Sequence, residues 1–245
     1  MISQNEQESY HCNLCKDRGY IFTTEGDYEV GKKCKCTLLE DAKRNMNNSG
    51  LGNLLETKTF DNYEVKDKFQ EVIRDTAVEY VEEYLKGNKY SFAVLGQSGI
   101  GKTHIATAIA KKLLDNNIEV KYFIADEIIQ TLQACKYDEE NYNKEFNRIA
   151  NANVLYIDDL FKSSITNYYQ KEDVKVDDLK EIFKVINYRY NKQLPILLNS
   201  EIHFERFTLI DQAVIGRINE MCNYKYLLSI KPDTNKNYRL KARSL

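Results

Sequence analysis

Short apolar runs alternate with helical patterns through most of this chain. Strand-length runs that are apolar at nearly every position occur at residues 91–95, 120–124, 153–157, 194–198 and 226–230. Strands of this kind are typical of a parallel sheet that helices cover on both faces, because neither face alternates with polar residues. The pattern therefore predicts an α/β fold.

Apolar residues that recur three or four positions apart predict three amphipathic helices. One precedes the first strand and ends near Gly87, a second follows that strand, and a third lies between the third and fourth strands. The apolar stripe of the third helix consists of Leu179, Ile182, Phe183, Ile186 and Tyr190. Because Lys180, Lys184 and Arg189 lie off that stripe, we expect them at more exposed positions.

The first 50 residues are organised differently from the rest of the chain. They hold four of the six cysteines, and the run RNMNNSGLGN at 44–53 is typical of a linker. A segment of this size buries too little apolar surface to fold without a crosslink or a bound metal ion. The sequence therefore predicts a small cysteine-rich domain over residues 1–50 and a larger domain over residues 51–245.

Charge and composition exclude several classes of protein. The 35 Lys and Arg against 37 Asp and Glu give a net charge of −2, which excludes coating of nucleic acid through bulk positive charge. No apolar run approaches the ~18 residues of a membrane span, and MISQNEQESY lacks the basic start and apolar stretch of a signal peptide. We therefore expect a cytoplasmic protein without a membrane partner.

The cysteine spacing predicts a zinc site. Two close pairs, Cys12-x2-Cys15 and Cys34-x-Cys36, are separated by 18 residues, a length that suits a hairpin. Tetrahedral Zn²⁺ takes four such ligands at ~2.3 Å, and the metal would stabilise a domain without a large core. His11 is an alternative ligand, and free thiols or a redox pair are the alternative chemistry.

The first predicted strand leads into the segment GQSGIGKT at 96–103, which matches the phosphate-binding pattern G-x-x-x-x-G-K-[ST]. Its glycines let backbone N–H groups point inward around a phosphate, and the following helix N-terminus adds donors. Lys102 is predicted to face solvent in the empty loop and to reach the β- and γ-phosphates, and Thr103 to hold Mg²⁺. The predicted nucleotide contacts here are Gly96, Ser98, Gly99, Ile100, Gly101, Lys102, Thr103 and His104, the last packing at the helix start.

Two carboxylates follow the third predicted strand. Asp158 and Asp159 stand at its carboxyl end, where α/β sheets bind ligands. Asp158 is predicted to hold Mg²⁺ as a Walker B aspartate. Asp159 occupies the place where many ATPases of this kind carry a glutamate that polarises the attacking water, and its shorter side chain predicts either a closer water or slow hydrolysis. The alternative is a pair of capping or solvated aspartates.

Together with these motifs, the chain resembles the AAA+ helicase loaders of the DnaC type, most closely those of low-GC Gram-positive bacteria and their phages. The further segments that carry the resemblance are TFDNY at 59–63, IDDLF at 157–161, LPILLNSE at 194–201 and IDQAVIGRINEMC at 210–222. The resemblance covers nearly the whole chain. It implies an AAA+ P-loop core with a five-stranded parallel sheet, and an ATPase that is slow and stimulated by assembly.

The resemblance also implies roles for particular residues. Arg217 matches the arginine finger, which enters the ATP site of a neighbouring subunit and stabilises charge on the γ-phosphate. Arg239 matches the sensor II position. At sensor I the family's usual Ser-Asn ending reads Asn199-Ser200-Glu201 here. Asn199 is favoured as the residue that orients water, and Ser200 is the competing candidate.

The function implied by the resemblance is ATP-dependent loading of a replicative DnaB-type helicase, with ATP, Mg²⁺ and Zn²⁺ as cofactors. The implied loader grips the helicase through its cysteine-rich domain, assembles into a ring or spiral, and touches single-stranded DNA with the third predicted helix. Residues 231–245, with five basic side chains against one acidic, could also meet phosphates. Two alternatives stay open: a transposition helper ATPase of the IstB type, and a zinc-bearing adaptor that binds ATP with little turnover.

Overall fold

The computed structural model describes residues 10–48, 53–163, 174–233 and 236–238. An exposed two-stranded hairpin precedes a five-stranded sheet that is flanked by helices. In chain order the elements are β1 (Tyr20–Glu25), β2 (Tyr28–Lys33), α1 (Lys35–Asn48), α2 (Leu54–Thr57), α3 (Lys68–Leu85), β3 (Phe92–Gly96), α4 (Lys102–Asp115), β4 (Val120–Ile124), α5 (Ala125–Ala134), α6 (Glu139–Ala150), β5 (Val154–Asp158), α7 (Val176–Asn191), β6 (Ile196–Ser200), α8 (Phe204–Ile210), α9 (Gln212–Met221) and β7 (Leu227–Ile230).

The large sheet has the spatial order β4-β5-β6-β3-β7, and all of its strand pairs are parallel. The inner strands β3, β5 and β6 are buried at every position, whereas the edge strands β4 and β7 include half-buried positions. This burial on both faces explains the continuous apolar runs, and the strand prediction is confirmed. Strand β6 begins at Ile196 rather than at residue 194, because Pro195 has no N–H to donate to a neighbouring strand.

The three predicted helices are confirmed as α3, α4 and α7, but the exposure expected for Arg189 on α7 is wrong. Arg189 is fully buried, and its guanidinium donates to the carbonyl oxygens of Ala150, Ala152 and Pro195 at 2.7, 2.9 and 2.6 Å. These carbonyls lie at the end of α6 and just before β5 and β6, at the amino-terminal edge of the sheet. The guanidinium carries several N–H donors at the end of a long side chain, so it can satisfy these carbonyls together. The apolar spacing of α7 gives no sign of this role.

Helix α1 joins the hairpin to the core. Leu38, Ala42 and Met46 recur every four residues and are buried in the same apolar core as the sheet, where α1 packs against β4 and α4. Because Met46 extends this stripe, the helix continues to Asn48 through part of the predicted linker at 44–53. Residues 49–52 of that linker lie outside the described residues.

The topology brings three loop starts to one edge of the sheet. The phosphate-binding loop follows β3, Asp158 ends β5, and Asn199 and Ser200 end β6. Strands β5, β6 and β3 are neighbours, so their carboxyl ends lie side by side. Separately, none of the helices in the described part of the chain has the length and apolar character that crossing a bilayer requires.

Candidate functional site

The phosphate-binding loop takes backbone conformations that favour glycine. Gly96 and Gly101 have φ values of +145° and +96°, in the region that side chains disfavour. A Cβ atom at Gly101 would lie 2.9 Å from Tyr63 Oη, and one at Gly96 would lie 2.8 Å from the carbonyl oxygen of Ile230. Larger residues at these positions would strain the loop and displace the segments packed against it.

Lys102 lies inside this loop rather than facing solvent, so that expectation is wrong. Its Nζ is buried and donates to the carbonyl oxygens of Gly96 and Gln97 at 2.7 and 2.9 Å. Burial lowers the pKa of Lys102 to about 8, while the charge of Glu201 works in the opposite direction. The ammonium therefore takes backbone acceptors where a phosphate could replace them.

Asp158 and Asn199 form a buried pair at the ends of β5 and β6. Asn199 Nδ2 donates to Asp158 Oδ1 and to Tyr156 Oη, both at 3.0 Å, and Asn199 Oδ1 is buried without a hydrogen-bond partner. Burial raises the pKa of Asp158, and the bond from Asn199 partly opposes this. Ser200 Oγ instead donates to the carbonyl oxygen of Leu160 at 2.8 Å. Of the two sensor I candidates, Asn199 is the one in contact with Asp158.

Asp159 turns out of the strand into a small charged cluster. Its φ is +55°, and its carboxylate accepts from Lys162 Nζ at 2.8 Å. Lys162 Nζ also lies 3.5 Å from Glu201 Oε1. Sequence reasoning gave no role to Lys162 or Glu201. Glu201 could have been found by the rule that singled out Asp158, because it is a carboxylate directly after a buried strand.

These groups face one cleft of about 500 Å³. The predicted site residues that line it are Ser98, Gly99, Gly101, Lys102, Thr103, His104, Asp158 and Asp159. The lining residues without a prediction are Leu54, Lys58, Tyr122, Ile124, Lys162, Glu201 and Tyr238. Ile100 is buried beneath the loop, Gly96 accepts from Lys102, and Asn199 lies behind Asp158. The structure thus brings together most of the predicted nucleotide contacts.

His104 fastens the segment at 59–63 to the start of α4. Its Nε2 lies 2.9 Å from the carbonyl oxygen of Thr59 and 3.0 Å from Asn62 Oδ1, so the proton resides on Nε2. The ring of Tyr63 meets the His104 ring edge-on, with centroids 5.1 Å apart. Asn62, Tyr63 and His104 also line an adjoining cavity of about 230 Å³. This cavity extends the cleft beyond the phosphate-binding loop.

The carboxy-terminal segment lies across the same loop. Gln97 Nε2 donates to the carbonyl oxygen of Asp233 at 2.7 Å, and the N–H of Asp233 returns a bond to Gln97 Oε1 at 2.6 Å. The N–H of Tyr238 donates to the carbonyl oxygen of Gly99 at 3.2 Å. Gln97, a variable position of the loop pattern, therefore has a specific structural contact. Arg239, the predicted sensor II residue, lies outside the described residues.

Arg217 is on α9 and does not line the cleft of its own chain. Its Nε donates to Asn187 Oδ1 at 3.0 Å, and its guanidinium lies 5.1 and 5.6 Å from the ring centroids of Phe183 and Tyr190 on α7. An arginine that serves a neighbouring subunit is expected to lie away from its own site. Its role as a finger stays a prediction.

The basic residues of α7 form a weaker positive face than the sequence suggested. Lys180 lies 3.5 Å from Asp177, Lys184 lies 2.9 Å from Glu181, and Arg189 is buried. Each exposed lysine is therefore paired with an acidic residue one turn away. Much of the basic stretch at 231–245, including residues 239–245, lies outside the described residues.

The four predicted cysteine ligands lie together. Their Sγ atoms are all within 4.8 Å of one another, with Cys12 to Cys34 at 3.7 Å and Cys15 to Cys36 at 3.5 Å. A tetrahedral ion with Zn–S bonds of ~2.3 Å needs sulfur atoms about 3.8 Å apart. His11 is exposed and lies beside Asp17, outside this group. The donor set fits a metal ion without His11.

The thiols of this cluster differ in pKa. Backbone N–H groups of Cys15 and Leu14 lower the pKa of Cys12 to about 6, whereas burial raises the pKa of Cys36 to about 12. Four thiolates cannot coexist here without a positive charge among them, because each added charge repels the others. A metal would displace the protons and hold β1, β2 and the start of α1 together.

Comparison with known proteins identifies a family and several relatives. Residues 36–245 match the family of IstB-like ATP binding proteins. The phage-like element PBSX protein XkdC of Bacillus subtilis (strain 168) is 34% identical over 236 residues, covering 94% of this chain and 85% of XkdC. The replicative helicase loader DnaC of Escherichia coli (strain K12) is 26% identical over 178 residues, which cover 72% of this chain and 69% of DnaC. A crystal structure of the DnaC helicase loader superimposes with a TM-score of 0.60 at 23% identity, covering 72% of this chain and 98% of that one.

Proposed function

Because the chain belongs to the family of IstB-like ATP binding proteins, we propose that it is an ATP-dependent loader of a replicative DnaB-type helicase at the initiation of DNA replication. The observation that carries the proposal is the single cleft where the phosphate-binding loop meets Asp158 and Asp159. Similarity to the helicase loader DnaC supports it. The compartment we propose is the cytoplasm, where the six unpaired cysteines stay reduced.

ATP binding follows from the chemistry of the cleft. The loop N–H groups surround the phosphates, and Lys102 exchanges its two carbonyl acceptors for β- and γ-phosphate oxygens. Thr103 and Asp158 hold Mg²⁺, which when bound neutralises phosphate charge. The base lies toward the adjoining cavity beside Asn62 and Tyr63.

Turnover is assigned to three side chains and depends on assembly. Asp159 supplies the second Walker B carboxylate, and Asn199 turns its unpartnered Oδ1 toward water. Arg217 leaves its contacts on α7 and enters the cleft of a neighbouring copy, where a guanidinium stabilises charge on the γ-phosphate. Arg239 completes the site as sensor II. Hydrolysis is therefore slow in the isolated chain and rises when copies assemble.

The two macromolecular partners are assigned to different regions. A zinc ion on Cys12, Cys15, Cys34 and Cys36 holds the helicase-binding domain. Single-stranded DNA binds along the inner surface of a ring or spiral of copies, assisted by the basic stretch at 231–245.

A transposition helper ATPase is the competing function, because the matched family takes its description from IstB. That match begins at residue 36, so most of the cysteine cluster lies before it. A loader needs a separate helicase-binding domain ahead of its ATPase. The cysteine cluster therefore favours the loader over the transposition helper.

Replacement of Lys102 tests the nucleotide site. We expect Lys102→Ala to abolish binding of a fluorescent ATP analogue, because the loop loses its only buried cation among the described residues that line the cleft. Lys112→Ala, on the exposed face of the same helix, is the control and should bind normally. Unchanged affinity in Lys102→Ala would contradict the assignment.

Co-purification from the native host tests the partner. Tagged wild-type protein should retain a hexameric replicative helicase, identified by mass spectrometry, in the presence of ATP. A variant with Cys12→Ser and Cys15→Ser should bind ATP but lose the helicase. Recovery of a transposase instead of the helicase would favour the alternative function.

A further inference from the structure

Glu201 is a carboxylate of the nucleotide cleft that the assignments above leave without a role. It directly follows β6, lines the cleft together with Lys102 and Asp159, and its side chain is only 15% exposed. A carboxylate this well covered, at the carboxyl ends of parallel strands, is a costly feature unless it interacts with a ligand or a charge.

The two Walker B carboxylates are held by other groups. Asp158 is buried against Asn199 and Tyr122. Asp159 is 32% exposed and accepts a 2.8 Å bond from Lys162. The same ammonium is 3.5 Å from Glu201, so Lys162 stands between the two carboxylates and contacts Asp159 more closely. Lys162 therefore links the two carboxylates.

Glu201 lines the same part of the molecule as the loop lysine, because both face the one cleft, and its charge acts on that lysine. Among the charged groups that act on Lys102, Glu201 has the largest effect, ahead of Asp159 and Asp158. Lys102 is the residue that this loop pattern uses for the β- and γ-phosphates. The carboxylate of Glu201 therefore lies near the place where the γ-phosphate is handled.

We propose that Glu201 is the catalytic carboxylate that accepts the proton of the attacking water, and that Lys162 positions Glu201 and Asp159 around that water. In this step the water oxygen forms a bond to the γ-phosphorus, and the bond from the γ-phosphorus to the β–γ bridging oxygen breaks. ADP leaves with the electron pair, and the water proton passes to Glu201 and then to solvent. The inference rests on the proposed ATPase function.

The chemistry of the side chains around Asp158 fits this assignment. Asn199 offers an amide, Asp159 a short carboxylate held by Lys162, and Glu201 a carboxylate that is one methylene longer. An asparagine amide can orient water but cannot accept its proton, whereas a carboxylate can do both. The longer side chain of Glu201, at the end of the neighbouring strand β6, thus supplies the proton acceptor.

The test compares isosteric amide variants of the two carboxylates. Glu201→Gln should lower kcat for ATP hydrolysis by ~10²–10⁴-fold, as expected for loss of a general base, and leave KM and affinity for a fluorescent ATP analogue unchanged. Asp159→Asn should have a smaller effect on kcat, and Glu201→Asp should restore part of the rate. Glu205→Gln, at an exposed position of α8, is the control and should behave as wild type.

Three results would overturn the proposal. An unchanged kcat in Glu201→Gln, with Lys102→Ala inactive, would remove Glu201 from catalysis and leave the proposed ATPase function standing. Loss of analogue binding in Glu201→Gln would make the residue a binding or structural group. Failure of wild-type protein to bind the analogue would overturn both this inference and the proposed function.

Discussion

Strands β1 and β2 of the cysteine hairpin, residues 12–36, are exposed at nearly every position, whereas β3, β5 and β6 of the sheet are buried at every position. The hairpin even exposes the aromatic side chains of Tyr20, Phe22 and Tyr28. Its well-buried residues are mainly the thiols of Cys15 and Cys34. The hairpin is thus organised around a few ligand atoms, and the sheet around burial of apolar surface on two faces.

The two regions therefore respond differently to a single change. The hairpin buries little apart from its thiols, so we expect its stability to depend on a metal held by four sulfur atoms. The sheet distributes its stability over many side chains, so most single changes there cost a fraction of the total. Helix α1 belongs to both regions, because Cys36 lies in its first turn while Leu38 and Met46 lie in the core.

Metal removal should have the largest effect and should separate the two regions. Chelation is expected to unfold residues 12–34 and leave the sheet intact, because structural zinc contributes ~10–16 kcal/mol of apparent binding free energy to small domains. Hydrogen exchange should show lost protection only in the hairpin, and elemental analysis should give about one zinc per chain.

The control for this prediction is the variant Cys135→Ser. Cys135 lies outside the cluster, so the variant protein should keep its metal. Protein purified under reducing conditions without any bound metal would contradict the prediction.

Arg217→Ala should lower the rate of ATP hydrolysis by the sheet domain and leave the stability of that domain unchanged. We expect unchanged ATP affinity and a loss of the assembly-stimulated rate, which for arginine fingers reaches ~10³–10⁵ in favourable cases. The arginine also stacks on Phe183 and Tyr190, so thermal unfolding should be followed as a control. The basal rate in dilute protein should persist.

Mixing variants sharpens the Arg217 test. Arg217→Ala supplies an intact ATP site and Lys102→Ala supplies an intact finger, so a mixture should regain part of the stimulated rate. Wild-type turnover that is independent of protein concentration, together with no gain on mixing, would make Arg217 an ordinary packing residue.

Arg189→Met should show that the core also depends on one polar cluster. The substitution removes a donor shared by three carbonyl oxygens, of which that of Pro195 keeps its bond from the N–H of Leu155. Because each buried acceptor left unsatisfied costs about 1–3 kcal/mol, we expect a loss of about 2–6 kcal/mol in the free energy of unfolding. Urea denaturation measures this loss, and Lys180→Met on the exposed face of α7 is the control. Equal stability of the two variants would contradict it.

Met46→Ala should have the smallest effect and should locate the boundary between the regions. We expect a loss of about 2–3 kcal/mol from the sheet domain, toward the low end for a buried methionine because the position is near a helix end. Metal content should not change, and Asn47→Ala is the exposed control. A loss of metal without loss of core stability would assign α1 to the hairpin instead.

Much of the fold followed from local patterns in the chain. The apolar runs predicted the strands of the parallel sheet, which the structure confirms, and the resemblance to DnaC-type proteins is confirmed by the family match. The glycine spacing at 96–103 and the paired cysteines pointed to both candidate sites, because phosphate-binding loops and metal ligands need particular residue types at short, fixed separations. Such signals lie within one turn, one loop or one hairpin.

The tertiary structure decided what depends on neighbouring strands and helices. Arg189 is buried because α7 passes over backbone carbonyls just before β5 and β6 that accept from its guanidinium, and α1 joins the core because β4 and α4 offer it an apolar surface. Lys162 contacts Asp159 three residues earlier in the same loop, but Glu201 meets Lys162 only because β5 and β6 are adjacent in the sheet. The spacing of residues along a chain does not determine which strands become neighbours, so contacts across strands appear only when the chain has folded.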